Sequence, residues 1–356
     1  MSAVASAPSA EVQLAFLVKL QRLFAEGDFT ATYKFALLIA LADLAVELGP
    51  DDGAELVLSN RQIAERFVHL YWRHASPYGS GRSGTTPGIL VQNMGAQAAV
   101  LTVIADFRVR TGTANLQQAK HLPDYDVVVS KIASTVSAQP LNYLQNFGGV
   151  TEPFIYERQG RGKVRLKRGV AYCLRRFYSL VQQLSRSHWV DHIKSNRRNQ
   201  TILGDTGDLE DFLFSTSRQS LAALGVELRK LDGPHCFYCG CILNEIDVDH
   251  YIPFTLYPRD LAHNFVLAHP ACNRSKSDML AAKPHLERWL SRILKHSADL
   301  TEIGAKVGIS ADERAMRHVA AWAYMSAQNS GGRAWLAAAQ FERVTNEYLG
   351  LFDAPN

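Results

Sequence analysis

Apolar side chains recur at helical spacing through most of the chain, and this pattern predicts a mainly helical protein. Residues 11–27 and residues 30–50 each predict one helix that ends at a glycine. The second of these segments is apolar nearly all round, which predicts a place in the middle of a helical core. Ser59 is a good N-cap residue and predicts the start of a further helix that continues through Arg73.

The helical spacing returns at intervals along the rest of the sequence. A glycine- and serine-rich stretch at residues 77–88 first predicts a loop. After it, helices are predicted over residues 89–107, 125–136, 171–199, 208–230, 284–296, 310–328 and 332–350.

Strands are predicted in only two regions. Alternating residues on either side of a Gln-Gly-Arg-Gly turn predict a hairpin over residues 154–170. Residues 245–252 and 264–269 predict two short strands, and Pro270 predicts the first turn of a helix directly after them. The predicted fold class is therefore mainly α (α+β), with a strand, ordered loop, strand and helix inside a cysteine-rich segment.

The composition is that of an ordinary soluble protein. The 356 residues are 47% hydrophobic and 20% charged, which excludes a disordered or fibrous chain and allows about two domains. The longest apolar run, at residues 35–41, is too short to cross a bilayer and lies close to Asp43 and Glu47. Residues 1–10 lack the pattern of a secretory signal, so a cytoplasmic protein with no membrane partner is expected.

The changes of pattern along the sequence divide the chain into four segments. They are a helical N-terminal recognition or interaction domain (1–150), a basic hairpin with helices (151–231), a cysteine-rich module (232–282) and C-terminal helices (283–356).

The net charge of +4 is modest, but its distribution is uneven. Residues 1–60 have three basic and eight acidic side chains, whereas residues 151–200 have twelve basic and three acidic ones. A concentrated positive stretch favours a polyanionic partner, and nucleic-acid phosphates are the natural candidate. The alternative is a solvated face whose arginines pair with acidic residues of the N-terminal stretch. The hairpin residues predicted to bind nucleic acid are Arg161, Lys163, Arg165, Lys167 and Arg168.

Four of the five cysteines lie between residues 236 and 272. Two residues separate Cys236 from Cys239, and two residues separate His269 from Cys272 about thirty residues later. Each of these is called an x2 pair. Three thiolates and one imidazole suit tetrahedral Zn²⁺ in a closed structural site, which fastens a small unit with few hydrophobic residues. Cys241 could replace Cys239 in this set.

The same segment resembles a known family of nucleases. The run Cys-x2-Cys, Asp249-His250, Asn264 and Asn273-Arg-x-Lys is similar to the HNH (His-Me finger) endonucleases, which have a ββα-metal fold. The resemblance covers about fifty residues and extends to stand-alone bacterial HNH endonucleases and to the HNH domain of CRISPR RNA-guided DNA nucleases. The last position of the motif is Asn here rather than His, and His269 stands where a third zinc cysteine is usual.

Phosphodiester hydrolysis needs a base for water and a cation to screen charge. His250 is the expected base, because an imidazole is neutral near pH 7. The resemblance implies that Asp249 and Asn273 hold one Mg²⁺ or Mn²⁺ and that Asn264 braces the loop and orients His250. Arg274 and Lys276 are expected to bind flanking phosphates. Asp260 is expected to structure the loop and Asp247 to be solvated, with service as a backup carboxylate as the alternative for Asp247.

The predicted function is a metal-dependent endonuclease that cuts DNA, double-stranded DNA rather than RNA, in restriction or anti-phage defence. A homodimer or a defence-system protein partner is an expected further association. The alternative is a non-catalytic zinc module that binds nucleic acid or a protein partner without cutting.

Overall fold

The structure, a computed structural model, describes residues 7–79, 86–204 and 209–352. Helix accounts for 56% and strand for 12% of these residues, so the prediction of a mainly helical protein with small sheets is confirmed. Part of the loop predicted at residues 77–88 lies outside the described residues. Within the described ranges no helix has both the length and the apolar character needed to cross a membrane.

The secondary structure consists of helices with four small sheets among the described residues. The α-helices are α1 (Ala10–Glu26), α2 (Tyr33–Leu48), α3 (Asn60–Trp72), α4 (Ala99–Thr111), α5 (Leu116–Ala119), α6 (Tyr125–Ala138), α7 (Pro140–Tyr143), α8 (Val170–Arg176), α9 (Tyr178–Ser195), α10 (Gln200–Leu203), α11 (Leu209–Phe214), α12 (Arg218–Asp232), α13 (Pro270–Lys276), α14 (Lys283–Lys295), α15 (Ser297–Val307), α16 (Glu313–Asn329) and α17 (Asn346–Leu349). The strands are β1 (Leu56–Ser59), β2 (Asn146–Phe147), β3 (Val150–Thr151), β4 (Tyr156–Gln159), β5 (Lys163–Leu166), β6 (Asp247–His250), β7 (Phe265–Ala268), β8 (Arg333–Ala337) and β9 (Gln340–Arg343), and short 3-10 turns cover Arg197–Asn199 and Ala262–Asn264.

The chain forms two compact units rather than the four segments suggested by its sequence pattern. The first unit comprises Met1–Ala114 and His121–Ser215. The second comprises Asn115–Lys120 and Thr216–Asn356. The basic hairpin therefore belongs to the first unit, and the C-terminal helices belong to the same unit as the cysteine-rich segment.

The core of the first unit is built around α2, as its nearly uniform apolar character predicts. Every residue of α2 from Tyr33 to Glu47 is buried, and the helix packs against α3, α7, α8 and α9. The buried carboxylate of Asp43 accepts hydrogen bonds from the Tyr178 hydroxyl at 2.6 Å and from Gln182 Nε2 at 2.7 Å. This polar group is therefore satisfied inside the core.

Two local predictions for the first unit are confirmed and two are wrong. Ser59 caps α3 in a capping box with Gln62, and residues 154–170 contain the antiparallel hairpin β4–β5. Strand β1, which was not predicted, pairs with β5 and completes a three-stranded sheet. The long helix predicted over residues 171–199 is interrupted, because Phe177 leaves the helical region between α8 and α9 with φ −108° and ψ 25°. The helix predicted from residue 89 begins only at Ala99.

In the second unit, β6 and β7 form an antiparallel pair in which His250 lies opposite Phe265. Helix α13 follows β7 directly, which confirms the predicted order of strand, loop, strand and helix. Behind the loop, Tyr251 stacks on Trp289 of α14 with ring centroids 4.6 Å apart, and neither ring is exposed.

The prediction of a helix over residues 332–350 is wrong. These residues form the hairpin β8–β9 and the short helix α17. The alanines of this segment favour a helix. However, the Trp335 amide donates to Leu280 O at 2.8 Å, and Trp335 O accepts from the Ala282 amide at 2.7 Å. Tertiary pairing with the segment after α13 therefore overrides local propensity.

Candidate functional site

The four metal-ligand candidates come together at one end of the β6–β7 pair. Cys236 and Cys239 lie on a tight turn in which the Gly240 amide donates to Cys236 O at 2.9 Å, and Gly240 adopts the left-handed φ of 73° that favours glycine. His269 precedes α13 and Cys272 lies in its first turn. One ligand atom from each of these four residues lies within 4.8 Å of the other three.

This Cys3His cluster could hold a metal ion, and its chemistry is compatible with structural zinc. His269 Nδ1 lies 3.4 Å from Cys239 Sγ, while its Nε2 lies 3.0 Å from Ile242 O. A ligating histidine in proteins commonly donates its second ring nitrogen to a carbonyl in this way. Burial and the neighbouring Cys236 and Cys239 thiolates raise the pKa of Cys272 to about 12.

The two remaining cysteines lie outside the cluster. Cys241 is exposed, and its Sγ lies 3.8 Å from Cys239 O, so Cys239 rather than Cys241 is the second member of the first pair. Cys173 is 1% exposed on α8, as expected for a core residue.

His250, at the end of β6, forms a close pair with a residue of the following loop. His250 Nε2 lies 2.5 Å from Asp260 Oδ1, and the Asp260 side chain is only 10% exposed. Burial acts to raise the pKa of Asp260, but hydrogen bonds from His250 and Thr216 and the charge of His250 lower it overall. An ionised carboxylate accepts from Nε2–H, and this tautomer leaves the lone pair of the neutral imidazole on Nδ1.

Aromatic side chains hold the imidazole of His250 in place. The rings of Phe265 and Phe254 lie with their centroids 4.4 Å and 5.3 Å from that of His250. The His250 side chain keeps 21% exposure, so part of it can meet solvent or a substrate.

Asp249, the neighbour of His250 on β6, is buried and already has two partners. Its Oδ2 accepts from the Tyr238 hydroxyl at 2.5 Å and lies 3.0 Å from Lys276 Nζ. Lys276 also donates to His250 O at 2.9 Å. Because the Lys276 side chain is completely buried in these contacts, it does not occupy the phosphate-binding position that we expected for it.

Asn273 and Asn264 have separate partners. Asn273 Nδ2 donates to Asp247 Oδ2 at 3.1 Å, so Asp247 lies beside α13 rather than free in solvent. Asn264 is fully buried, donates to Ile252 O at 2.9 Å and accepts from the Ile252 amide at 2.7 Å. Asn264 therefore braces the loop, whereas a different residue, Asp260, contacts the His250 ring.

The predicted catalytic residues thus have separate partners: His250 contacts Asp260, Asp249 contacts Lys276 and Tyr238, Asn273 contacts Asp247, and Asn264 contacts Ile252. Sequence reasoning missed Asp260 as the partner of His250 and Tyr238 as a partner of Asp249. The signal for Asp260 was an acidic side chain in the loop between the paired strands, ten residues after His250.

The basic side chains of the hairpin in the first unit fall into two classes. Arg165 pairs with Glu157 and Glu55, and Lys167 pairs with Glu157. These contacts agree with the solvated-face alternative for those two residues. A second class, whose members are exposed and have no ion pair within the part of the chain that the structure describes, comprises Arg161, Lys163 and Arg168.

The comparison with protein families decides one question of identity. The profile described as Domain of unknown function (DUF8808) matches residues 15–213. The chain belongs to this family. The DUF8808 match covers most of the first unit and stops before α12, so the Cys3His cluster and the His250–Asp260 pair lie outside it. No curated protein and no solved structure matches the chain.

Proposed function

We propose that the second unit is a metal-dependent nuclease of the HNH (His-Me finger) type that hydrolyses DNA phosphodiester bonds. The observation that carries the proposal is the contact between His250 Nε2 and Asp260 Oδ1 at 2.5 Å, at the end of a strand pair followed by a helix and beside a Cys3His cluster. A structural ion fastens the unit, and a histidine–carboxylate pair supplies a base.

His250 acts on water in this proposal. The lone pair on Nδ1 takes a proton from a water molecule as that water attacks phosphorus. The carboxylate of Asp260 stabilises the imidazolium that forms and fixes its tautomer. The proton can then pass to the leaving oxygen, directly or through solvent. Phe254 and Phe265 restrict the ring to one orientation.

Oxygen atoms for a divalent cation lie on the side of β6 that faces α13. Asp249, Asn273 and Asp247 offer two carboxylates and one carboxamide there, a donor set that suits a hard cation. When bound, Mg²⁺ or Mn²⁺ would supply positive charge against the phosphate and the leaving oxygen. Asp247 joins Asp249 and Asn273 in this set because of its contact with Asn273.

The choice of DNA rests on the resemblance to HNH endonucleases and on exposed basic groups. Arg274 is exposed on α13, and the first unit offers Arg161, Lys163 and Arg168. The same resemblance supports double-stranded DNA as the substrate and restriction or anti-phage defence as the setting.

One observation favours a second candidate, a zinc module that binds nucleic acid or protein without cutting it. Asp249 is already neutralised by Lys276 and hydrogen-bonded by Tyr238, which is a stable arrangement for a structural residue. A scaffold of this kind has no need of the His250–Asp260 pair, which is why we place the nuclease first.

A plasmid-cleavage experiment separates the two functions. The full chain, His250→Ala and the control His296→Ala are each incubated with supercoiled plasmid and Mg²⁺ or Mn²⁺. His296 is a matched control because it also pairs with a carboxylate, with its Nδ1 2.9 Å from Asp299 Oδ2. A nuclease converts supercoiled DNA to nicked or linear forms with the wild type and His296→Ala but not with His250→Ala. If all three proteins leave the plasmid supercoiled in both metals, the binding module is the correct reading.

A further inference from the structure

A cavity of about 390 Å³ lies within the first unit at the beginning of α2. Its walls come from the end of α1, the connection from residue 28 to residue 34, the start of α7 and the turn at residues 146–149. A volume of this size is typical of pockets that bind small molecules. The cavity lies in the DUF8808 region, so it is independent of the proposed nuclease site.

Lys34 is the most buried of the charged residues that line this cavity. Lys34 is 8% exposed, and it forms no hydrogen bond and no ion pair with any described residue. Its Nζ lies 5.3 Å from the centre of the Phe29 ring, and burial lowers its pKa while the charge of Asp28 acts in the opposite direction. An anionic group entering the cavity would give this ammonium a charge-assisted contact.

Two carboxylates line the same cavity. Asp28 is exposed, and Glu26 is exposed while it pairs with Arg22 on its other side. Tyr143 offers a half-exposed ring, and Gln139 and Asn146 line the same cavity with further hydrogen-bonding groups. The lining therefore presents one positive and two negative groups.

We propose that this cavity binds a basic amino acid, a small zwitterion with one carboxylate and two cationic groups. The ligand carboxylate contacts Lys34, and the two cationic groups lie against Asp28 and Glu26. A simple anion such as inorganic phosphate is repelled by the two carboxylates, and a simple diamine is repelled by Lys34. A charged side chain can also stack on the ring of Tyr143.

Calorimetric titration of the full chain with L-arginine and L-lysine tests the proposal. Agmatine lacks the carboxylate of arginine and L-citrulline lacks its side-chain charge, so each is expected to bind about tenfold or more weakly than L-arginine. Inorganic phosphate is expected not to compete. The proposal is overturned if neither basic amino acid binds at millimolar concentration, or if agmatine binds as tightly as L-arginine.

Variants test the assigned contacts. Lys34→Met and Asp28→Asn should each weaken binding of L-arginine about tenfold or more, because each removes a charge-assisted contact. The controls Lys131→Met and Asp106→Asn change exposed residues outside the cavity and should bind as the wild type does. Asp28 is itself exposed, so Asp28→Asn tests the site even if Lys34→Met fails to fold. Unchanged affinity in Asp28→Asn contradicts the proposal.

Discussion

Lys276 Nζ lies 3.0 Å from Asp249 Oδ2, and both side chains are buried between β6 and α13. The same ammonium donates to His250 O at 2.9 Å. One lysine therefore joins the helix to the strand that ends in the proposed base, and its charge is compensated by a carboxylate that would otherwise be buried alone. Such a group acts on the position of the strand rather than on the substrate.

Removal of that ammonium should destabilise the second unit. Lys276→Met keeps the volume of the side chain but leaves the Asp249 carboxylate buried with the Tyr238 hydroxyl alone, and loss of about 3 kcal/mol is expected. Arg274→Met, on the exposed side of the same helix, should change stability by less than about 0.5 kcal/mol. Calorimetric unfolding of the three proteins measures the difference. Equal effects of the two substitutions would show that the buried pair contributes nothing.

The zinc content of the protein should depend on the four residues of the Cys3His cluster and not on the other cysteines. Elemental analysis of the purified chain is expected to find one zinc ion per molecule, and Cys272→Ser should lose it and melt at lower temperature, because metal binding stabilises a small unit of this kind. Cys241→Ser is the matched control, since Cys241 lies outside the cluster. Zinc retained by Cys272→Ser but lost from Cys241→Ser would reverse the assignment of ligands.

Asp260 is expected to act on the reaction through His250. Asp260→Asn should lower the rate of plasmid nicking by about a hundredfold or more, because an amide can hold the wrong tautomer and cannot stabilise the imidazolium. Asp299→Asn, which alters the exposed pair with His296, serves as the control. A normal rate of nicking in Asp260→Asn would remove Asp260 from the mechanism.

Two buried histidines should make the fold sensitive to acid. Burial is the main cause that lowers the pKa of His74 in the first unit and of His263 in the second to about 4. The unfolded chain, with histidine pKa values near about 6.5, then binds more protons than the folded chain between these values. The free energy of unfolding should therefore be constant above about pH 6.5 and fall as the pH drops toward 4, by up to about 1.4 kcal/mol per pH unit for each histidine.

Melting temperatures measured from pH 7.5 to pH 4.5 test this dependence. His263→Leu removes one of these titrating groups, so its melting temperature should fall less steeply than that of the wild type. The exposed residue His121 provides the control His121→Leu, which should follow the wild type. An equally steep fall in His263→Leu would contradict the role assigned to His263.

The hairpin of the first unit should dominate the salt dependence of any DNA binding by that unit. Replacing Arg161, Lys163 and Arg168 with serine should weaken binding and reduce the slope of log affinity against log salt by about 2 to 3 for duplex DNA. The pair Arg165→Ser and Lys167→Ser should have a smaller effect, because carboxylates already compensate those charges. Fluorescence anisotropy at several salt concentrations distinguishes the two sets. If the triple and the double variant have the same slope of log affinity against log salt, the hairpin is a solvated face rather than a DNA-binding surface.

Local sequence signals predicted the parts of the fold that local chemistry determines. The capping box at Ser59 and the hairpin around residue 160 depend on neighbouring residues, and both are present. The pairing of two x2 motifs predicted the Cys3His cluster because a metal site needs those residue types. In each case the deciding contact is specified by side chains that the pattern itself contains.

Contacts between distant segments were not predictable in the same way. The alanines near residue 338 favoured a helix, but backbone pairing of Trp335 with Leu280 and Ala282 makes a strand there. Lys276 was expected to bind a DNA phosphate because it lies on a short basic helix. Only the packing of that helix against β6 shows that its partner is Asp249. The pairing of Asp260 with His250 depends on the path of a loop that has no periodic pattern.

The second unit draws six of its residues, Asn115–Lys120, from far earlier in the sequence. Within that segment Asn115 donates to Ala305 O at 2.9 Å, and Gln117 donates to Ser310, whose carbonyl accepts from the amide of Ala262. A continuous fragment that starts at residue 216 therefore does not contain the whole second unit. It lacks residues 115–120, which are hydrogen-bonded to the segment that contacts the loop between β6 and β7. To study this unit in isolation, a designer would have to supply residues 115–120 again as a separate peptide or a permuted insert.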